Sequence, residues 1–415
     1  MRFSLRTLTL FVLLIGSSGT LWWKWEPWAL ERTLKGHTDS INGIDLSRDG
    51  RRLVSASMDK TARVWDTQTG AEVAVLKGHS GPVYPAVFSP DGERVISGET
   101  SGMVCLWNAN TGAQLVALQE HTGAIMCASF SPDGTKALSC DADNGAIIWD
   151  CTARKRLHAL NSRVARPDPS MDTTACFSPD GTRVLTLGAS CLQLWDAKTG
   201  EQLKFSEERL DQTLAASYSR DGRLLATVGV DGSLLIRDAQ NAKVQRQIGA
   251  PERRHVSTQA YLPAAQVIFS PDARLLFSGT DSTDMYILEV GSERPLAAIN
   301  ADKECISGSR FSPDSQLLLT TSLWSGRALI WRTRTGEQLQ SLNPEPAEAL
   351  HQALFSPDGT RVYAAGVSPD IQVWHRRRPE YRWGAICLPE FWLTIILASA
   401  LVWSILRDRR EHARV

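Results

Sequence analysis

VFSPDG at residues 87–92 is one of eight close copies of a short motif in this chain of 415 residues. In chain order the copies are DLSRDG (45–50), VFSPDG (87–92), SFSPDG (129–134), CFSPDG (176–181), YSRDG (218–222), FSPDA (269–273), FSPDS (311–315) and FSPDG (355–359). Counted from Asp49, the steps between copies are 42, 42, 47, 41, 51, 42 and 44 residues. A period near 42 residues predicts a repeated four-stranded unit rather than a helical repeat.

The motif is a turn signal with apolar segments on both sides. Pro presets φ at the second turn position, Asp hydrogen bonds to nearby backbone, and Gly closes the turn. PVYPAVF (82–88) precedes one turn, while RRLVSAS (51–57), TARVWD (61–66) and AEVAVLKGH (71–79) follow another. Their alternation and β-branched content predict strands. Four short antiparallel strands form a blade, and radially arranged blades cover one another's faces.

Gly-His and Trp-Asp pairs recur at the repeat spacing. They are Gly36-His37, Gly78-His79, Trp65-Asp66, Trp149-Asp150 and Trp195-Asp196. In these pairs, and over about residues 31–375, the chain resembles the WD-repeat β-propeller family. With eight turns, the resemblance implies an all-β, eight-bladed β-propeller at residues 30–375. A seven-bladed ring that discards one repeat is the alternative.

The resemblance also implies a buried hydrogen-bonded chain of His, Ser or Thr, Asp and Trp within each blade. The first repeat supplies His37, Ser55, Asp59 and Trp65, and the third supplies His121, Ser139, Asp143 and Trp149. The second repeat has His79, Ser97 and Trp107, but Ser101 stands where the Asp is expected. In later repeats Arg237, Glu289, Arg332 and His375 depart from the Trp-Asp pattern, which puts the chain in doubt there. We expect these residues to be structural, with no catalytic role.

Ring closure follows from one missing strand and one surplus strand. The last repeat, 351–374, has no outer strand, whereas LERTLKGH (30–37) reads as an outer strand without a blade. Pairing these two ends closes the ring, as in the family. Both chain ends are then expected on the face that carries the Ser-Pro-Asp-Gly turns, here called the turn face. The opposite face, here called the top face, carries the loops that lead into each new blade.

The two ends of the chain are apolar. Leu8–Trp23 follows Arg2 and Arg6, so residues 1–29 are predicted to be a signal anchor or a cleaved signal peptide with a Trp-rich flank. Residues 386–406 are predicted to be a transmembrane helix, between a basic linker at 376–385 and a basic tail at 407–415. One hydrophobic helix should therefore flank the propeller at each end. A helix buried against the propeller is the alternative reading of the second segment.

Membrane orientation is less constrained by the sequence. The Arg and Lys residues outside the two spans nearly balance those on the propeller side, so the positive-inside rule gives no clear answer. The export-like N-terminal segment favours an extracytoplasmic propeller with both termini in the cytoplasm. Seven cysteines precede the second span, and this mildly favours the opposite orientation.

Composition and motifs exclude several functions. The 45 basic and 45 acidic residues balance, which argues against a nucleic-acid partner. Phosphate-binding loops and hydrolase or metalloprotease motifs are missing from the sequence, so we expect no enzyme activity, cofactor or metal site. The eight cysteines have no zinc spacing and read as buried thiols, although a Cys140–Cys151 disulfide is conceivable.

The expected function is a membrane-tethered scaffold that binds protein partners through the top face. Two insertions, 161–172 and 249–266, stretch the repeat spacing at that face. Arg and Tyr are enriched at interface hot spots. The candidate partner-binding residues are Arg163, Arg166, Arg253, Arg254, His255 and Tyr261. A merely tolerated insertion is one alternative, and an extracytoplasmic enzyme or small-ligand binder that uses the central channel is another.

Overall fold

The computed structural model describes residues 27–143, 145–161, 174–188, 191–203, 213–229, 233–248, 266–279, 285–292, 294–299, 306–322, 325–343 and 348–377. Strands are the one type of regular secondary structure in these residues, and turns and short loops connect them. The predicted flanking helices, at Leu8–Trp23 and 386–406, lie outside the described residues. Within the described part of the chain, none of the structure is a helix long and apolar enough to span a bilayer. The chain divides into two compact units, Leu30–Trp374 and a second unit made of its two ends.

The strands of the first half, in chain order, are β1 (Trp28–Leu34), β2 (Ile41–Leu46), β3 (Arg52–Ser57), β4 (Thr61–Asp66), β5 (Glu72–Lys77), β6 (Val83–Phe88), β7 (Arg94–Glu99), β8 (Met103–Asn108), β9 (Gln114–Gln119), β10 (Ile125–Phe130), β11 (Lys136–Asp141), β12 (Gly145–Asp150), β13 (Lys155–Asn161), β14 (Thr174–Phe177), β15 (Arg183–Gly188) and β16 (Cys191–Asp196). Strands β2 to β5 form blade one, and each following sheet of the ring is a further blade.

The strands of the second half are β17 (Thr213–Tyr218), β18 (Leu224–Gly229), β19 (Leu234–Asp238), β20 (Val244–Ile248), β21 (Gln266–Phe269), β22 (Leu275–Gly279), β23 (Met285–Glu289), β24 (Pro295–Ile299), β25 (Ile306–Phe311), β26 (Leu317–Ser322), β27 (Ala328–Arg332), β28 (Gln338–Leu342), β29 (Leu350–Phe355), β30 (Arg361–Gly366) and β31 (Ile371–Arg376). Eight sheets result, so the predicted eight-bladed all-β propeller is confirmed and the seven-bladed ring is wrong.

Blade eight closes the ring as the sequence predicts. Its sheet order is β1-β31-β30-β29, so the first strand of the chain completes the last blade. Blade four differs from the others, because its sheet has three strands among the described residues. A single bridge between Trp195 and Gln202 starts a fourth.

The register of each blade identifies the turn face. The first residue of a second strand pairs with the last residue of the third, as Arg52 does with Asp66 and Arg94 with Asn108. Second strands begin directly after the Ser-Pro-Asp-Gly turn, so third strands end at that same face. Strand β31 is a third strand, and the chain therefore leaves the propeller at the turn face.

Apolar side chains pack between neighbouring blades rather than inside single sheets. Val54 and Leu76 of blade one are buried in one cluster with Val83 and Trp107 of blade two. Burial of such apolar surface is the main driving force that holds blades together. Each blade is thus stabilised by the two beside it.

The eight turns share one hydrogen-bond pattern. In blade one the Ser47 hydroxyl donates to Asp49 at 2.7 Å, and the backbone N–H of Arg52 donates back to Ser47 at 2.9 Å. The same Ser-to-Asp bond recurs in every blade. The turn ends in a left-handed residue, which is Gly in six blades but Ala273 (φ 57°) and Ser315 (φ 60°) in blades six and seven.

Candidate functional site

Blade one contains the polar chain that the family resemblance implies. The Trp65 indole N–H donates to the Ser55 hydroxyl oxygen at 2.9 Å, and Ser55 lies 2.7 Å from Nε2 of His37. On its other side, Nδ1 of His37 lies 2.7 Å from Asp59. A neutral imidazole that donates from Nδ1 must accept at Nε2, so Ser55 donates its proton to His37. The chain runs in one direction, from Trp65 through Ser55 and His37 to Asp59.

The ionisation of this chain follows from its burial. Desolvation lowers the pKa of His37, although Asp59 opposes the shift, so His37 is neutral at pH 7. Burial alone would raise the pKa of Asp59. Hydrogen bonds from Thr61 and His37 outweigh it, and the pKa of Asp59 is lowered. His37 and Ser55 are buried, so the chain as described crosslinks strands inside blade one.

Blade two completes the same chain with an acid that the sequence analysis missed. His79 lies 2.7 Å from Ser97, which also accepts the Trp107 indole N–H at 2.7 Å. Nδ1 of His79 lies 2.8 Å from Glu99, the last residue of β7. Burial would raise the pKa of Glu99, but hydrogen bonds led by those from Ser101 and Ser80 lower it to about 2. Ser101, the apparent gap in the motif, supports the replacement acid.

Blade three corrects one predicted residue. His121 and Trp149 meet at Ser139 as expected, at 2.6 and 2.7 Å. The acid at Nδ1 of His121 is Asp141, at 3.0 Å, and not Asp143. Asp143 instead accepts a hydroxyl hydrogen bond from Thr122 at 3.4 Å.

A strand position explains the replacement in both blades. Ser57, Glu99 and Asp141 are each the last residue of a second strand, 42 residues apart. Alternate residues of a strand point to one side, so an acid there shares the side of Ser97 or Ser139. In blades two and three the acid stands at the position of Ser57, two residues before the position of Asp59, and it contacts the histidine of its own blade. The acids at 99 and 141, one repeat length apart, were the sequence signal that could have identified these two histidine partners.

Later blades keep part of the chain. The Trp195 indole N–H donates to Thr186 in blade four, and Trp331 donates to Thr320 in blade seven, both at 2.9 Å. In blade five Arg237, 1% exposed, stands in place of the Trp and donates to Thr227 at 3.3 Å. Blades four, five and seven thus keep the strand hydroxyl and its hydrogen-bond donor, without the histidine and the acid.

The predicted partner-binding residues lie outside the described residues: Arg163, Arg166, Arg253, Arg254, His255 and Tyr261. Among the top-face residues that the structure does describe, Met126 and Val367 are 38% and 42% exposed. No group of three or more metal-ligating side chains is found in the described ranges.

The cysteines of blade three pair differently from the suggested alternative. Cys127 and Cys140 face each other across β10 and β11 and form a disulfide, with their Cα atoms 5.3 Å apart. Cys151, the other suggested partner of Cys140, is a free buried thiol. Burial raises the pKa of Cys151 to about 11 and those of Cys105 and Cys176 to about 12. These three thiols are therefore protonated and poor nucleophiles.

Together, the closed ring and the Trp–Ser–His–acid chain define a WD-type β-propeller. The family model described as "WD domain, G-beta repeat" matches residues 28–66, 70–108 and 112–150. The chain therefore carries WD40 repeats, as the sequence resemblance implied. The three matches cover the repeats in which the polar chain is complete.

Known proteins agree with this assignment. Protein LST8 homolog of Drosophila melanogaster is 24% identical over 52% of this chain and 68% of its own length. Target of rapamycin complex subunit wat1 of Schizosaccharomyces pombe is 23% identical over the same shares of the two chains. The C-terminal WD40 domain of Sif2 superposes with a TM-score of 0.70 at 16% identity, covering 85% of this chain and 99% of that one. At this identity the last comparison establishes the fold alone.

Proposed function

We propose that this protein is a membrane-tethered scaffold that binds protein partners through the top face of its propeller. The observation that carries the proposal is that the ionisable groups of blades one to three are bonded to each other inside their blades. The His and acid side chains of each polar chain are buried and hydrogen-bonded to each other, which supports a structural role for them. One relative, wat1, is by its name a subunit of a complex, which supports a role in protein assembly.

The tether is proposed from the apolar segments Leu8–Trp23 and 386–406. Since β31 ends at the turn face, a second span would follow it within about ten residues, or at most about 35 Å of extended chain. The turn face would then lie near the bilayer. The top face would point away from the membrane, free for partners.

We further propose that the propeller is extracytoplasmic, with both termini in the cytoplasm. The Cys127–Cys140 disulfide supports this orientation, because structural disulfides form and persist in oxidising compartments. It weighs against the sequence argument from the cysteines, although Cys105, Cys151 and Cys176 are free thiols.

The partner site is proposed to include the insertion loops at 161–172 and 249–266. The six candidate side chains, Arg163, Arg166, Arg253, Arg254, His255 and Tyr261, would be replaced together by Ala in the full chain. The matched control replaces five exposed arginines of the turn-face loops, Arg48, Arg51, Arg220, Arg223 and Arg274. Partner recovery in pull-downs from detergent extract should fall about tenfold or more in the first variant, since hot-spot residues each contribute over 1 kcal/mol. Recovery by the control should not change.

Three outcomes contradict parts of this proposal separately. Equal recovery by both variants removes the insertion loops from the site. Release of the wild-type chain from membranes by alkaline carbonate contradicts the tether and leaves partner binding untouched. Labelling of a cysteine placed at Ser257 by an impermeant reagent tests orientation: labelling only after membrane rupture would place the propeller in the cytoplasm.

A further inference from the structure

The central channel carries two charges at one level of the ring. The residue four positions before the turn Asp is Asp45 in blade one and Arg310 in blade seven. The other blades place uncharged residues there: Val87, Ser129, Cys176, Ser217, Ile268 and Leu354. Since these positions lie on the innermost strands, the charges are confined to one sector of the channel wall.

Arg310 lies inside the channel with most of its donors unused. The residue is exposed, yet surrounding protein desolvates the guanidinium and lowers its pKa, as expected for a side chain in a narrow channel. Its one hydrogen bond to a described residue runs from Nη1 to the Ser309 carbonyl at 3.2 Å. A guanidinium has five N–H donors in a planar fork. Several of them are therefore free for an acceptor in the channel.

Two glutamines on neighbouring blades have their acceptors occupied. Gln266 of blade six accepts the Ser309 hydroxyl through Oε1, and Gln352 of blade eight accepts the Ile44 N–H through Oε1 at 2.9 Å. Both glutamines lie six residues before the turn Asp of their blade, whereas Arg310 lies four residues before its turn Asp. With both oxygens used, each glutamine offers its Nε2 as a donor. This sector of the wall, over blades six to eight, is therefore rich in donors.

Glycines allow close packing of the strands beside these donors. At the same position as the glutamines, blade seven has Gly308 and blade one has Gly43. A Cβ on Gly43 would lie 2.8 Å from the Tyr84 carbonyl oxygen and 3.8 Å from Oε1 of Gln352. A larger residue at Gly43 would therefore press on the backbone of blade two, close to Gln352.

Asp45 is the competing acceptor. Its carboxylate accepts the Phe88 N–H at 2.9 Å, and no ion pair within 4.0 Å joins it to Arg310 in the described structure. Burial raises the pKa of Asp45 to about 6, and Arg310 opposes that shift. The two charges thus interact without forming an ion pair, which leaves the guanidinium available.

We propose that Gln266, Arg310 and Gln352 form a binding site for a small oxyanion, a carboxylate or a phosphate, in the central channel. Guanidinium and amide N–H groups suit the acceptor oxygens of such anions. The site is independent of the proposed scaffold function, because it involves neither the top-face loops nor the membrane segments. Asp45 weakens the site by repulsion.

Calorimetry on the purified full chain in detergent tests the proposal, with sodium sulfate as the tetrahedral probe and sodium acetate as the carboxylate probe at constant ionic strength. We expect saturable binding of at least one probe. Arg310→Gln should weaken it tenfold or more, since charged hydrogen bonds are the strong ones. Asp45→Asn should tighten it a few-fold. Arg223→Gln, on the exposed turn face, is the matched control and should bind as wild type.

Saturable binding of neither probe by the wild type overturns the proposal, as does equal affinity in wild type and Arg310→Gln. If circular dichroism shows that Arg310→Gln does not fold, Arg310→Lys and Gln352→Met replace it. Lys keeps the charge without the planar fork, and Met keeps the length without the donor. Wild-type affinity in both would overturn the site, whereas a loss in either supports it.

Discussion

Blades one to three and blades four to eight share a turn but differ in their polar interior. In the first three, a histidine links a strand hydroxyl to a buried acid, and the tryptophan donates to the same hydroxyl. In the later blades the described residues keep at most the bond to the hydroxyl, and in blade five the donor is Arg237. Yet all eight blades form the same Ser-to-Asp turn.

The difference separates what makes a blade from what makes it rigid. The turn and the apolar strand pattern are common to every blade, so they suffice for the fold. The polar chain is an addition, and a fully satisfied buried network specifies side-chain positions more strongly than apolar packing does. We therefore expect blades one to three to be the more protected region in hydrogen exchange.

Breaking the hydroxyl at the centre of the chain should give the largest effect. Ser55→Ala leaves both the Trp65 N–H and Nε2 of His37 without a partner, whereas Thr186→Val in blade four leaves one N–H. An unpaired buried polar group costs about 1–3 kcal/mol, so Ser55→Ala should cost about 2–4 kcal/mol and Thr186→Val about half of that. Thermal unfolding and exchange of blade-one amides in the full chain would measure it.

Equal losses in the two variants would show that the histidine adds nothing to the Trp–hydroxyl bond. Blades one to three and blades four to eight would then differ in sequence but not in the stability of their polar interior. A control at Ser129→Ala, whose hydroxyl has no hydrogen-bond partner among the described residues, should change stability little.

Much of this fold was predictable because its signals are local. Turn residues such as Asp49 and Gly50 act within four positions, and their regular spacing gave the blade count and the closing strand. The partner of a histidine is a long-range choice between residues on one strand end. Asp143 fitted the motif spacing, but the pleat of β11 directs Asp141 to His121. Likewise, the Cys127–Cys140 bridge depends on strand register, which cysteine spacing alone does not reveal.

The choice between Asp141 and Asp143 gives the second prediction. Asp141→Ala should cost about 1–3 kcal/mol, because Nδ1 of His121 and the Gly145 N–H lose their acceptor. Asp143→Ala, in the loop two residues on, should stay within about 0.5 kcal/mol as a surface change. Urea unfolding of both variants side by side makes the measurement. A larger loss from Asp143→Ala would restore the residue that the family motif favoured.

The smallest expected effect concerns the left-handed turn residues of blades six and seven. Ala273 and Ser315 hold left-handed φ values of 57° and 60° at turn positions where six other blades have Gly. A Cβ in that conformation costs about 1–2 kcal/mol, which the higher chain entropy of unfolded Gly partly offsets. Ala273→Gly should therefore stabilise the chain by about 0.5–1 kcal/mol, seen as a higher Tm. Ser315→Gly should gain less, because it also removes the hydrogen bond from the buried Ser315 side chain to Asp272. The reverse change in blade one, Gly50→Ala, is the matched control and should lower the Tm. If Ala273→Gly melted below wild type, left-handed strain would not be the dominant effect at this turn, and blade six would depend there on contacts of the Ala273 side chain.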